Sequence, residues 1–189
     1  MKRIIWSAIV VSILIWTAYG AQSLMAAEFV LSSPQMRPGT RMAMEQVFNG
    51  FGCTGQNISP ELHWSGVPAG TKSLALTVYD PDAPTGSGWW HWVIFNMDPT
   101  TTGLPANAGD TSAQLAPTGS VQSRTDFGRT GYGGPCPPAG DKPHHYIFTL
   151  FALDTVQLPL DDSAPAAMVG FYLNQHVIRK AQLTMLYSR

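Results

Sequence analysis

The stretch DPDAPTGSGWWHW, residues 80–92, joins two segments with strand periodicity. Upstream, SLALTVYD (residues 73–80) alternates, with Leu74, Leu76 and Val78 on one face and Ala75, Thr77 and Tyr79 on the other. A period of two carries Asp80 onto the leucine face at the end of the strand. Downstream, WWHWVIFNM (residues 89–97) reads as the next strand, with Trp89, His91, Val93 and Phe95 expected on one face. The Pro- and Gly-rich link predicts an antiparallel neighbour, so one edge of a sheet gathers Asp80, Asp82, His91 and the tryptophans. Carboxylates and an imidazole on apolar strand faces mark that edge as a candidate site. A cis X-Pro bond within residues 80–84, with Ala83–Pro84 the foremost candidate, would give the sharp exit that two inward-pointing acids need.

Further along, GYGGPCPPAG (residues 131–140) holds too many prolines and glycines for a helix or a central strand. It predicts a stiff wall with few N–H groups. HHYIFTLFAL (residues 144–153) then alternates again, with His144, Tyr146, Phe148, Leu150 and Ala152 on one face. His144 and Tyr146 start this strand as His91 starts its own. Residues 166–180 predict one helix, with Ser163 as N-cap and Pro165 in its first turn, and a closing strand follows from Ala181. Residues 42–49 predict a second early strand. Residues 98–131 lack periodicity and are long for a loop, so they hold short strands or form a binding rim. Phe127 reads there as an apolar pin. His63 reads as a surface or structural histidine.

Three chemistries fit Asp80, Asp82, His91, His144 and Tyr146. In an anion pocket, imidazoles and a phenol donate to oxyanions while the acids hold the histidines or accept from an ammonium group on the same ligand. A metal site would use His and Asp, but helical ligand signatures such as H-E-x-x-H are absent. A hydrolytic site could enlist Ser87, but no G-x-S-x-G elbow exists, and Ser87 in T-G-S-G suits a turn. The structural alternative is that the acids cap turns and the histidines satisfy buried groups. The convergence of three strand ends favours the pocket.

The chain has 189 residues, enough for one domain with a sizeable core. Lys2 and Arg3, an apolar run from Ile4 to about Ala18 and small residues up to Ala27 follow the order of a secretory signal. The run is shorter than the ~20 apolar residues of a spanning helix, although an uncleaved anchor is the alternative. Residues 1–27 are therefore expected to be a cleaved signal peptide and residues 28–189 a single exported domain, periplasmic or secreted. Cleavage removes two basic residues and no acid, so the formal charge moves from −1 to −3. With no basic run, nucleic acid is not an expected partner. Cys53 and Cys136 are the two cysteines, and in an oxidising compartment they are expected to pair. Two small buried thiols are the alternative.

YDPDAPTGSGWWHW (residues 79–92) and GYGGPCPPAGDKPHHYIF (residues 131–148) resemble the phosphatidylethanolamine-binding protein family, and more closely its bacterial Raf-kinase-inhibitor-like branch, the YbhB/YbcL type. NISPELHWSGVPAGTKSLALTVYDPDAP (residues 57–84), TDFGRTGYGG (residues 125–134) and AMVGF (residues 167–171) extend the match over almost all of the mature chain. The resemblance implies a β-rich α+β fold of two antiparallel Greek-key sheets with peripheral helices, one of them near the C-terminus. It also implies a pocket that binds a phosphate or similar anion. Taken with the residue reading, the expected function is a non-enzymatic periplasmic binding protein for phosphate or a phosphoethanolamine-like head group, without a cofactor or metal, and a weak hydrolase is a third reading. The implied ligand-binding residues are Asp80, Asp82, Trp89, His91, Gly134, Cys136, Pro138, His144 and Tyr146. The family's H-R-Y motif reads His144-His145-Tyr146 here, and alternation turns His145 away from the pocket. The alternative function is a protein-interaction module that inhibits or modulates a kinase- or protease-type target. Whether the chain forms a homodimer is left open.

Overall fold

The computed structural model describes residues 27–189; apart from Ala27, the expected signal peptide lies outside them. In chain order the strands begin with β1 (Val30–Ser32), β2 (Asn49–Gly50), β3 (Cys53–Thr54), β4 (Leu62–Ser65) and β5 (Ser73–Asp80). Next come β6 (Trp89–Met97), β7 (Gly103–Leu104), β8 (Val121–Gln122) and β9 (His144–Leu153). The helix α1 (Ala166–His176) and the closing strand β10 (Val177–Tyr187) complete the order. β7 and β8 are the short strands hidden in residues 98–131.

The main sheet runs β10-β9-β5-β6-β8, a smaller one runs β1-β4-β7, and β2-β3 is a two-stranded ribbon. The named strand pairs are all antiparallel. Within the main sheet, β9-β5-β6-β8 is a Greek key, because the long connection after β8 returns the chain beside β5.

Alternation decides which core each residue joins. Leu74, Leu76, Val78, Phe148 and Leu150 face the smaller sheet, where they pack with Leu31, Leu62, Trp64 and Leu104. Ala75, Val93, Phe95, Phe151 and Leu153 face the other way and meet Ala166, Val169 and Leu173 of α1. The main sheet is thus covered on both faces, which is why β5 and β9 are apolar nearly throughout.

Three local expectations are corrected. Residues 42–48 form turns rather than a strand. Their carbonyls are taken by Gln56, Asn57 and Ile58, and the Phe48 N–H donates to Pro135 O, so no ladder forms. The helix stops at His176 instead of reaching Lys180, because Arg179 and Lys180 pair with Ala152 and Phe151 of β9. The β-branched pair Val177–Ile178 favours that change. The cap is Pro165, while the Ser163 hydroxyl is turned to Asp161. Among the described residues, α1 is the only α-helix where several peripheral helices were expected.

Candidate functional site

Asp80 ends β5 beside the start of β9. Its Oδ2 accepts from His144 Nδ1 at 2.8 Å, and its Oδ1 accepts from the Asp82 backbone N–H at 2.8 Å. The Asp80 and His144 side chains are 4% and 3% exposed, so this is a buried, hydrogen-bonded pair. The other His144 nitrogen, Nε2, lies 3.5 Å from Asp141 Oδ2.

Asp82 is placed differently from the expectation. Its Oδ2 accepts from both the backbone N–H of His145, at 2.8 Å, and His145 Nδ1, at 2.7 Å. Burial acts to raise the Asp82 carboxyl, yet the His145 hydrogen bonds prevail and hold it below the usual carboxylate range. Asp82 therefore fastens the turn after β5 to the first residues of β9 and does not line the cavity. His145 points away from His144, as alternation predicts. The bonds after Asp80 are reached without a cis proline: the Ala83–Pro84 bond is trans, as are the other described peptide bonds. Asx-type hydrogen bonding from Asp80 makes the turn instead.

His91 reaches the site through a β-bulge. Val78 pairs with Trp92 and Tyr79 pairs with Trp90, so His91 is the extra residue between them. The bulge breaks the expected alternation. Trp89 and His91 turn toward the side of Asp80, while Val93 and Phe95 go to the helix side. The imidazole sits edge-on to Tyr146 and to Phe127, with ring centroids at 5.1 and 5.4 Å.

The Pro/Gly loop is clipped to this bulge. His91 Nδ1 and Gly133 O are 2.6 Å apart, and the Gly133 N–H donates to His91 O at 2.8 Å. A carbonyl can only accept, so Nδ1 carries the hydrogen. His91 Nε2 is buried and has no partner within the protein. Burial pushes the imidazole down to about 4, against the Gly133 carbonyl and the Asp80 charge, which act upward. His91 is thus neutral at pH 7, with Nε2 bare. The sequence reading made it a donor to an anion; in the free protein it is an acceptor.

Gly134 is likewise not in the lining. A Cβ there would stand 2.0 Å from the Gln46 carbonyl oxygen, so the glycine is required by close backbone approach. Its N–H donates to Asn57 Oδ1, and Asn57 Nδ2 donates to Tyr132 O. Two residues on, Cys136 is bonded to Cys53, with Cα atoms 6.0 Å apart.

These elements enclose a cavity of about 230 Å³. Of the expected residues, Asp80, Trp89, His91, Cys136, Pro138, His144 and Tyr146 line it. Ala83, Pro84, Thr85, Pro137, Phe51 and Phe127 were missed as lining residues. Phe127 is held over the mouth because Asp126 Oδ2 accepts from the Trp90 N–H. Phe51 stacks on Phe127 at 5.9 Å and is 68% exposed. An aromatic flanked by glycines in F-G-C-T-G was the available signal. Tyr146 Oη is buried inside the site, and like His91 Nε2 it has no partner. Burial, and after it the Asp80 charge, raise the Tyr146 phenol well above its usual range. Ser87 is exposed in its turn and does not line the cavity. Among the described residues, no cluster of three or more His, Cys, Asp or Glu is arranged to hold a metal.

The sequence pattern of the phosphatidylethanolamine-binding protein family matches residues 32–188. The chain belongs to that family. YbcL of Escherichia coli (strain K12) is 51% identical over 180 residues, 95% of this chain and 97% of YbcL. YbhB of the same strain is 49% identical over 158 residues, 84% of this chain and 99% of YbhB. The crystal structure of E. coli YbcL, described as a new member of the mammalian family, superposes with a TM-score of 0.85 at 53% identity. It covers 86% of this chain and 99% of that one. The family homologue of Chlamydia trachomatis gives 0.70 at 30% identity, covering 85% and 97%. Membership thus joins this chain to a group of binding proteins with the same antiparallel fold.

Proposed function

We propose that the chain is a non-enzymatic binding protein whose cavity takes a small phosphate-bearing anion, such as phosphate or phosphoethanolamine. The observation that carries this reading is a pair of orphaned polar atoms, His91 Nε2 and Tyr146 Oη, in one cavity beside the Asp80–His144 pair. Buried polar groups without partners are uncommon in native proteins, and a polar ligand would satisfy both. The volume, below the ~300–1,000 Å³ of pockets for drug-sized ligands, suits a head group rather than a whole lipid. Tyr146 would donate to one anion oxygen, and the aromatic rim would border whatever the phosphate is attached to.

Calorimetry with phosphoethanolamine tests this. Wild type should bind, and His91→Ala and Tyr146→Phe should each weaken binding by about 1.5–3 kcal/mol. Unchanged affinity in both variants would place the ligand elsewhere. The signal-like N-terminus and the Cys53–Cys136 bridge support export to an oxidising compartment such as the periplasm.

A further inference from the structure

The helix side of the main sheet is only partly covered, because α1 packs on Ala75, Phe95 and Phe151. Nearer the Asp80 end of β5, the same side carries a polar row across three strands. Thr77 of β5 stands opposite Thr149 of β9, and Thr149 stands opposite Gln182 of β10. This row lies in a groove of about 210 Å³ that Trp90 of β6 lines from one flank of the sheet and Lys180 of β10 from the other. The groove shares no lining residue with the anion cavity. We propose that it is a second, separate binding site, for an acidic sugar: a single pyranose ring that bears a carboxylate.

Thr77 points to a hydroxylated ligand. The residue is 4% exposed and lines the groove, yet its hydroxyl has no hydrogen-bond partner among the described residues. Burying a hydroxyl is costly unless something meets it. Beside it, Gln182 Nε2 donates to Thr149 Oγ1 at 3.0 Å, which leaves the Thr149 hydroxyl hydrogen and the Gln182 side-chain carbonyl for the groove. The row thus offers both donors and acceptors, as ring hydroxyls need. Trp90 and Tyr79 form the aromatic flank, with ring centroids 4.6 Å apart, and the Tyr79 hydroxyl is taken by Ser87 O. Aromatic faces are negative and attract the C–H bonds on the apolar face of a sugar. At the far flank, Lys180 Nζ donates to Asn174 Oδ1 at 2.9 Å and lies 4.9 Å from the Phe151 ring centroid. The lining holds no carboxylate, so this cation favours an anionic ligand. A neutral sugar leaves Lys180 unused, and a simple carboxylate leaves the Thr77 hydroxyl and the aromatic flank unused.

Solution NMR of the isotopically labelled exported chain, titrated with glucuronate, glucose and acetate, tests the site. Glucuronate should bind with a Kd on the order of millimolar, as suits one ring in an open groove. The shifted amides should cluster at Thr77, Thr149 and Gln182. Glucose and acetate should each bind at least about threefold more weakly, and added salt should narrow the gap between glucuronate and glucose. Thr77→Val keeps the shape of the side chain and should weaken glucuronate about fivefold, the scale of one hydrogen bond. Lys180→Gln, an exposed change, should bring glucuronate to within about twofold of glucose. No response of these amides to millimolar glucuronate would overturn the proposal. So would glucose or acetate binding as tightly as glucuronate, or unchanged glucuronate affinity in both variants. Shifts centred on His91 and His144 would put the sugar in the anion cavity and overturn the second site, leaving the anion reading to its own calorimetry.

Discussion

At His91 the folded chain holds an imidazole that resists protonation until about pH 4, whereas the same side chain in the unfolded chain protonates near 6.5. Between those values the unfolded state binds the extra proton, so stability is highest above pH 6.5 and declines as pH falls toward 4. The full decline attributable to this one residue is about 3 kcal/mol. Urea denaturation at pH 7 and pH 4.5 should show most of that loss in wild type and a smaller one in His91→Asn. That variant keeps an N–H for Gly133 O and cannot titrate. Equal losses in the two proteins would contradict the burial of a neutral His91. The residues of this site were legible where periodicity governs them. Asp80, His144 and Tyr146 face the cavity because alternation along β5 and β9 holds to the strand ends. Asp82 and Gly134 were misplaced because both contribute through bonds to distant backbone, His145 N–H in one case and the Gln46–Asn57 region in the other. Local sequence carries no mark of such partners.

Elements were legible to the extent that their hydrogen-bond partners came from regular ladders. β5, β6 and β9 follow from alternation with few errors at their ends. The bulge at His91 inserts one residue into β6 and reverses the faces on either side of it, and nothing in WWHWVIFNM announces that. Residues 42–48 look like a strand by composition but spend their backbone groups on residues 56–58 and Pro135. The joint between the β5 turn and β9 depends on Asp82, whose carboxylate takes the His145 N–H out of solvent. Asp82→Ala should cost about 1–3 kcal/mol of stability at neutral pH. Because the Asp82 carboxyl is held below its ordinary value, its contribution is present above pH 3.8 and lost as pH falls further. Equal chevron or urea midpoints for Asp82→Ala and wild type at pH 7 would show that the joint is held otherwise.

For the molecule as a whole, the Cys53–Cys136 bridge closes a loop with a sequence separation of 83 residues that includes β4 to β8. Confining that loop in the unfolded chain stabilises the fold by about 4–5 kcal/mol in the chain-entropy model, an upper figure because residual structure in the unfolded chain reduces it. Unfolding with and without a thiol reductant should differ by several kcal/mol, and thiol titration of the denatured, unreduced protein should find no free thiol. Two titrating thiols would remove the bridge from the account. The Greek-key order was legible only through resemblance to the family, because alternation identifies strands but not which of them become neighbours. The pairing of β9 with β5, across the whole of residues 81–143, is a long-range choice made by two complementary faces rather than by any local signal.

The double clip between His91 and Gly133 has a kinetic side. Nδ1 already holds its hydrogen, so a proton arriving at Nε2 breaks no bond within the protein. The loop that walls the cavity need not swing when the imidazole changes charge. A change of charge at Nε2 therefore needs none of the microsecond-to-millisecond lid motion that paces many other sites.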